Sequence, residues 1–135
     1  MTRRGAYLIL VVSSDPERLH GYRATARAAG FYALPAPTLD RSIALARKVR
    51  PSLVLVDAGL DEGRALAVVG ALRAAPRPDK KQAPVVVVGE LTDQERDQVS
   101  GDPSIQAYPG GESAGLVALL RDLLPDQERR PRPTD

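Results

Sequence analysis

Three runs of aliphatic residues constrain this chain more than anything else in it: Leu8-Ile9-Leu10-Val11-Val12, Leu53-Val54-Leu55-Val56 and Val85-Val86-Val87-Val88. Each is too short for a helix and rich in branched side chains, and none alternates with polar residues, so each reads as a strand. A strand apolar on both sides has to be covered on both faces, as happens in a parallel sheet between two layers of helices.

The stretches between these strands supply the helices. Tyr7 to Val12 is the first strand, stopped by Ser13-Ser14-Asp15-Pro16. A helix starts at Pro16 with Ser14 or Asp15 as its cap, repeats Leu19, Tyr22, Ala26 and Ala29 at helical spacing, and stops at Gly30. Phe31 to Leu34 is a short strand broken by Pro35 and Pro37, and a second helix starts near Thr38 or Asp40, turns Ile43, Ala44 and Val49 inward, and ends before Pro51. Ser52 to Asp57 is the third strand, followed by a loop at 58–63 and a helix carrying Ala65, Leu66, Val69 and Leu72. After a proline-rich loop at 75–84 come strand Val85 to Val88, a polar helix from Thr92 to Val99, strand Ile105 to Tyr108, and a last helix from Ala114 to Leu124. Residues 1–124 thus form one α/β domain, and the charged, proline-rich tail 125–135 is expected to be disordered.

Strict strand and helix alternation implies a doubly wound, three-layer α/β/α fold with right-handed crossovers. The flavodoxin-like five-stranded parallel order 2-1-3-4-5 sets the ends of strands one and three side by side, so Asp57 should face the loop Ser13-Ser14-Asp15.

Composition narrows the chemistry. The chain has no cysteine, which excludes disulfides, thiolate metal sites and cysteine nucleophiles, and points to the cytoplasm. The basic start Met1-Thr2-Arg3-Arg4 and the run to Val12 lack a cleavage site, and no stretch approaches the roughly 20 apolar residues of a membrane span. One histidine, His20, reads as a surface residue and cannot anchor a Ser-His-Asp triad; with Asp15 and Gly21 it has the wrong spacing for a cobalamin loop. Ser13-Ser14-Asp15-Pro16 offers a carboxylate and a missing N–H where a phosphate cradle needs donors, and the glycines at 89 and 110–111 read as turns.

Charge is uneven: residues 1–50 hold nine Lys/Arg against three Asp/Glu, and residues 51–135 ten against fourteen. Arg18, Arg23, Arg27, Arg41, Arg47, Lys48 and Arg50 would form a basic, solvated face on the first two helices. Without interleaved aromatics it does not read as a nucleic-acid surface.

With these residues in place, the layout resembles the receiver domain of bacterial response regulators (CheY-like) over residues 7–124. The resemblance rests on Leu8-Ile9-Leu10-Val11-Val12-x-x-Asp15-Pro16, Pro51-Ser52-Leu53-Val54-Leu55-Val56-Asp57, Ala83-Pro84-Val85-Val86-Val87-Val88 and Tyr108. It implies a phosphoacceptor at Asp57 and a switch aromatic at Tyr108. It also implies two acids for Mg²⁺ after strand one, a Thr or Ser closing strand four, and a Lys closing strand five. Those positions hold Ser13 and Ser14, Gly89, and, for the Lys-Pro dipeptide, Gly111-Glu112.

Neutral hydroxyls remove two ligand charges from a hard cation, leaving Asp15 and Asp57 as weak metal candidates, and Asp15 doubles as a helix cap. Lys48, Lys80 and Lys81 all lie away from strand five, and Arg64 is the one basic side chain expected near Asp57, beside the acidic loop Leu60-Asp61-Glu62-Gly63. Gly89 cannot bond a phosphoryl oxygen, so Tyr108 has lost its driver. The expectation is a degenerate pseudo-receiver: a single-domain, non-enzymatic signalling protein that needs no cofactor and acts without phosphorylation. It would bind a signalling partner, or a second copy of itself, through the surface of the fourth helix, fifth strand and fifth helix. The alternative is an active receiver in a two-component phosphorelay, phosphorylated on Asp57 with Mg²⁺.

Overall fold

A computed structural model of the chain describes residues 7–59, 66, 69, 70, 73, 83–109 and 113–124. In chain order its elements are β1 (Leu8–Val12), α1 (Pro16–Ala28), β2 (Tyr32–Ala36), α2 (Leu39–Val49), β3 (Leu53–Asp57), β4 (Val85–Val88), α3 (Asp93–Ser100), β5 (Ile105–Tyr108) and α4 (Ser113–Leu123). Between β3 and β4, Leu66, Val69, Gly70 and Arg73 are helical, within the segment expected as the third helix. The expected fourth and fifth helices are therefore α3 and α4. The expected tail 125–135 lies outside the described residues, as do Leu60 to Gly63, Arg64, Lys80, Lys81 and Gly111.

The five strands form one sheet of order β2-β1-β3-β4-β5, and every neighbouring pair is parallel. Side chains alternate across it, as the two-residue period of a strand requires. Leu10, Val12, Val54, Val56, Val85 and Val87 face one layer, where Leu39, Leu45 and Ala46 of α2, Val99 of α3, and Leu66 and Val69 cover them. Ile9, Val11, Leu53, Leu55, Val86 and Val88 face the other, against Ala26 of α1 and Leu116 and Leu120 of α4. The continuous aliphatic strands are thus buried twice over, which is why they carry no polar residue.

Three expectations change at this level. Strand β2 runs through Pro35, which pairs with Val11, instead of stopping before it. The N–H of Tyr32 donates to Tyr7 and the carbonyl of Ala36 accepts from Ser13, so residues 32, 34 and 36 bond β1. Pro35 therefore faces the open edge of the sheet, where a missing N–H costs nothing. On α2 the inward positions are Leu39, Ser42, Leu45 and Ala46, whereas Ala44 is exposed. Ser42 can be buried there because its Oγ donates to the Leu39 carbonyl at 2.7 Å. Finally, α1 and α2 lie on opposite layers of the sheet, so their arginines do not make one basic face.

The α1/α4 layer is tied by polar contacts as well. Thr25 Oγ1 and Ser113 Oγ share a hydrogen bond of 2.9 Å, and Arg121 Nε donates to the Ala29 carbonyl at the end of α1 at 3.3 Å. On the other side, Arg73 pairs with Asp102 just before β5 and also donates to Ser104. Asp102 Oδ1 accepts from the Ser104 hydroxyl at 2.7 Å and from its N–H at 3.0 Å. The Ser104 hydroxyl first, then Arg73 and the Ser104 N–H, hold the Asp102 carboxyl down at about 2, below its ordinary 3.8. A carboxyl with a lowered folded-state pKa stabilises the fold above its unfolded value and stops doing so as pH falls through the folded one. Urea midpoints should therefore fall between pH 3.8 and about 2, and Asp102→Asn should flatten that part of the profile while lowering the plateau above it. An unchanged slope in the variant would show that Asp102 is not responsible.

Among the described residues, no helix is long and apolar enough to cross a membrane.

Candidate functional site

Because β3 is central and ends on Asp57, the fold carries that carboxylate to the C-terminal edge of the sheet, beside the loop that follows β1. Asp57 is 2% exposed, and both of its oxygens are engaged by the chain itself. Oδ2 accepts from Ser13 Oγ at 2.7 Å and from Arg18 Nε at 2.8 Å, and Oδ1 accepts from the Gly59 N–H at 2.9 Å.

Each donor is placed by local structure. Ser13 follows β1 directly, is fully buried, and accepts the Asp15 N–H at 3.2 Å, which folds the loop back over the strand end. Asp15 is the N-cap of α1, accepting from Glu17 N at 2.9 Å and Arg18 N at 3.2 Å. That cap starts the helix so that Arg18, in its first turn, reaches back over the sheet edge. Its Nη1 lies 3.2 Å from Asp15 Oδ2, so one guanidinium spans two carboxylates. The hydrogen bond from Arg18 to Asp57, and then the charge of Asp57, raise the guanidinium further above its ordinary range, so it stays charged at any working pH. One turn on, half-buried Tyr22 has its phenol pushed up, first by burial and then by the Asp57 charge. Ser14 is exposed on the outside of the loop.

Among the described residues the basic side chain beside Asp57 is therefore Arg18; Arg64, expected in that role, lies outside them. By sequence alone Arg18 belongs to the solvated basic face expected on the first two helices. The signal that could have found it was the spacing Asp15-x-x-Arg18 on a helix beginning at the switch point.

The remaining positions surround this centre. Gly89 closes β4 with φ +119°, and a Cβ built on it would lie 3.1 Å from Ala58 Cβ. Tyr108 closes β5 and is followed by Pro109. Asp57 pairs with Val88 and Val88 with Tyr108, so the tyrosine sits in the row of Asp57 on the α1/α4 face. Its hydroxyl fills the space that a Cβ on Gly115 of α4 would need. Gly111 falls outside the described residues.

The donor set does not fit Mg²⁺, which takes six oxygens in an octahedron. Of the six, one or two usually come from carboxylates and the rest from water, and here the two carboxylates, Asp15 and Asp57, are already bridged by the Arg18 cation, with Ser13 giving its proton to Asp57. Among the described residues, no three His, Asp or Glu side chains converge to hold a metal.

No protein-family model and no curated protein matches the sequence. Solved structures do match it in shape. Vibrio cholerae chemotaxis protein CheY4 superposes with a TM-score of 0.75 at 17% identity, over 87% of this chain and 98% of that one. A CheY-like response regulator receiver domain from Methylobacillus flagellatus gives 0.69 at 20% identity, over 87% and 98% of the two chains. A sensor protein from Polaromonas gives 0.71 at 15% identity, over 87% and 94%. Strand order, parallel register and these superpositions together give the chain the fold of a response-regulator receiver domain.

Proposed function

We propose that this receiver-like chain is a cytoplasmic signalling module that works by protein contact, without enzymatic activity and without phosphorylation of Asp57. The observation that carries the reading is the engagement of Asp57: three donors from its own chain hold both oxygens of a carboxylate that is 2% exposed. A phosphoacceptor has to present a free oxygen in line with the phosphoryl donor, with a metal neutralising the equatorial oxygens. Here Oδ2 already carries two donors, the Ser13 hydroxyl and the Arg18 guanidinium. Tyr108, in the row of Asp57, offers no fixed positive charge to a phosphoryl group. The surface of α3, β5 and α4 is the face we assign to the partner, whether another signalling protein or a second copy. On it Asp93, Gln94, Asp97, Gln106 and Ala107 are exposed.

Incubation with Mg²⁺ and a small acyl-phosphate donor, read by intact mass, tests this. The expected result is no added phosphoryl group in either the natural chain or Asp57→Asn. An adduct on the natural chain that Asp57→Asn abolishes would instead establish an active receiver in a phosphorelay.

A further inference from the structure

We propose that Arg18 is a resident cation, standing between Asp15 and Asp57 where a divalent ion would otherwise neutralise them, and that it makes this edge of the sheet a metal-free lock. The inference rests on the reading of Asp57 as a structural carboxylate and names what replaced the ion.

All three guanidinium nitrogens have a place in the site. Nε meets Asp57 Oδ2 at 2.8 Å, Nη1 meets Asp15 Oδ2 at 3.2 Å, and Nη2 lies 3.1 Å from the point where a Cβ on Gly59 would stand. The residue is held from its backbone too, since the Arg18 N–H donates to the other oxygen of Asp15. Asp15 therefore caps the helix and pairs with the side chain at once, which fixes where the guanidinium points. On the sheet side, Ser13 donates to the same Asp57 oxygen as Arg18, and two donors use both lone pairs of that atom. A metal ion would have to displace a bound cation and a hydroxyl before reaching Oδ2. The bridge joins the first turn of α1 to the end of β3, residues 39 apart in sequence, without any exchangeable component.

Arg18 is 45% exposed at its side chain, so removing it should leave a folded protein. The test compares the full natural chain with Arg18→Ala, Arg18→Glu and Arg18→Lys. Thermal melting with and without about 10 mM Mg²⁺ is followed by substoichiometric Mn²⁺ broadening of the Ser13 and Gly59 amide resonances. The natural chain and Arg18→Lys, which keeps the charge, should show neither effect. Arg18→Glu, with a third carboxylate, should gain roughly 3–6 °C with Mg²⁺ and lose both amide signals to Mn²⁺, and Arg18→Ala should respond in the same sense but less. Broadening of those amides in the natural chain, or no broadening in either folded variant that lacks the charge, would overturn the proposal. An Asp57 phosphoryl adduct would overturn the function proposed above by a separate measurement, so a failure of that reading is distinguishable from a failure of the Arg18 lock.

Discussion

Asp57→Ala should lower the free energy of unfolding by about 2–3 kcal/mol, read as an earlier urea midpoint at neutral pH. The largest contribution comes from Ser13, whose hydroxyl is fully buried and loses its 2.7 Å acceptor. The Gly59 N–H loses its partner as well, which loosens the turn that leaves β3. Arg18 adds less than a buried ion pair would, because at 45% exposure its guanidinium can return to water. Asp57→Asn keeps the shape and one acceptor oxygen, and should lose only about 1 kcal/mol. The sign decides between two pictures of the site. A carboxylate crowded by other acids and waiting for a metal is relieved when it is removed, and stability then rises. A gain in stability on Asp57→Ala would therefore refute the self-neutralised site.

Gly89→Thr, which adds the hydroxyl that the resemblance to receivers implies at the end of the fourth strand, should cost about 3 kcal/mol and produce no gain in phosphorylation. The backbone at Gly89 has φ +119°, a region that side chains with a branched Cβ scarcely enter. A Cβ there would also crowd Ala58, at 3.1 Å from its Cβ. The double variant Ala58→Gly with Gly89→Thr separates these effects, since it removes the contact and leaves the dihedral. Only part of the loss should be recovered, as measured by the same urea titrations. Full recovery would mean that the backbone relaxes freely and that the missing hydroxyl is a simple substitution. On our account the main chain at Gly89 excludes a branched side chain, so one mutation does not supply the hydroxyl at low cost.

Several features that position the site were legible before any coordinates. The unbroken apolar strands announced a sheet covered on both faces, and the Pro51 to Asp57 phrase announced which carboxylate stands at its edge. Helix starts were legible for the same local reason: Asp15, Thr38 and Thr92 each accept an N–H of their own first turn. Reading failed where the outcome depended on which element lay alongside. Pro35 looked like a strand breaker, and only its place on the outer edge of β2 makes it harmless. Ala44 looked like part of the inward face of the second helix, yet it is exposed, and Ser42 is buried instead with its hydroxyl bonded to the Leu39 carbonyl. Tyr108 was recognised as the aromatic of strand five, but its row shared with Asp57 and its packing against Gly115 come from pairing across β4 and from α4.

The sequence by itself determined the alternation of elements, the double burial of the sheet and the identity of the carboxylate at its edge. All of these follow from periodicity and caps that operate over a few neighbouring residues. The tertiary structure alone decided what that carboxylate holds. Charge counts could show an excess of arginines in the first half of the chain but not which one would turn inward. Packing α1 against β3 brought Arg18 to Asp57 across 39 residues, and set the other arginines of α1 and α2 on opposite layers. A long flexible side chain selects its partner by position in space, and that position exists only after the strands have paired.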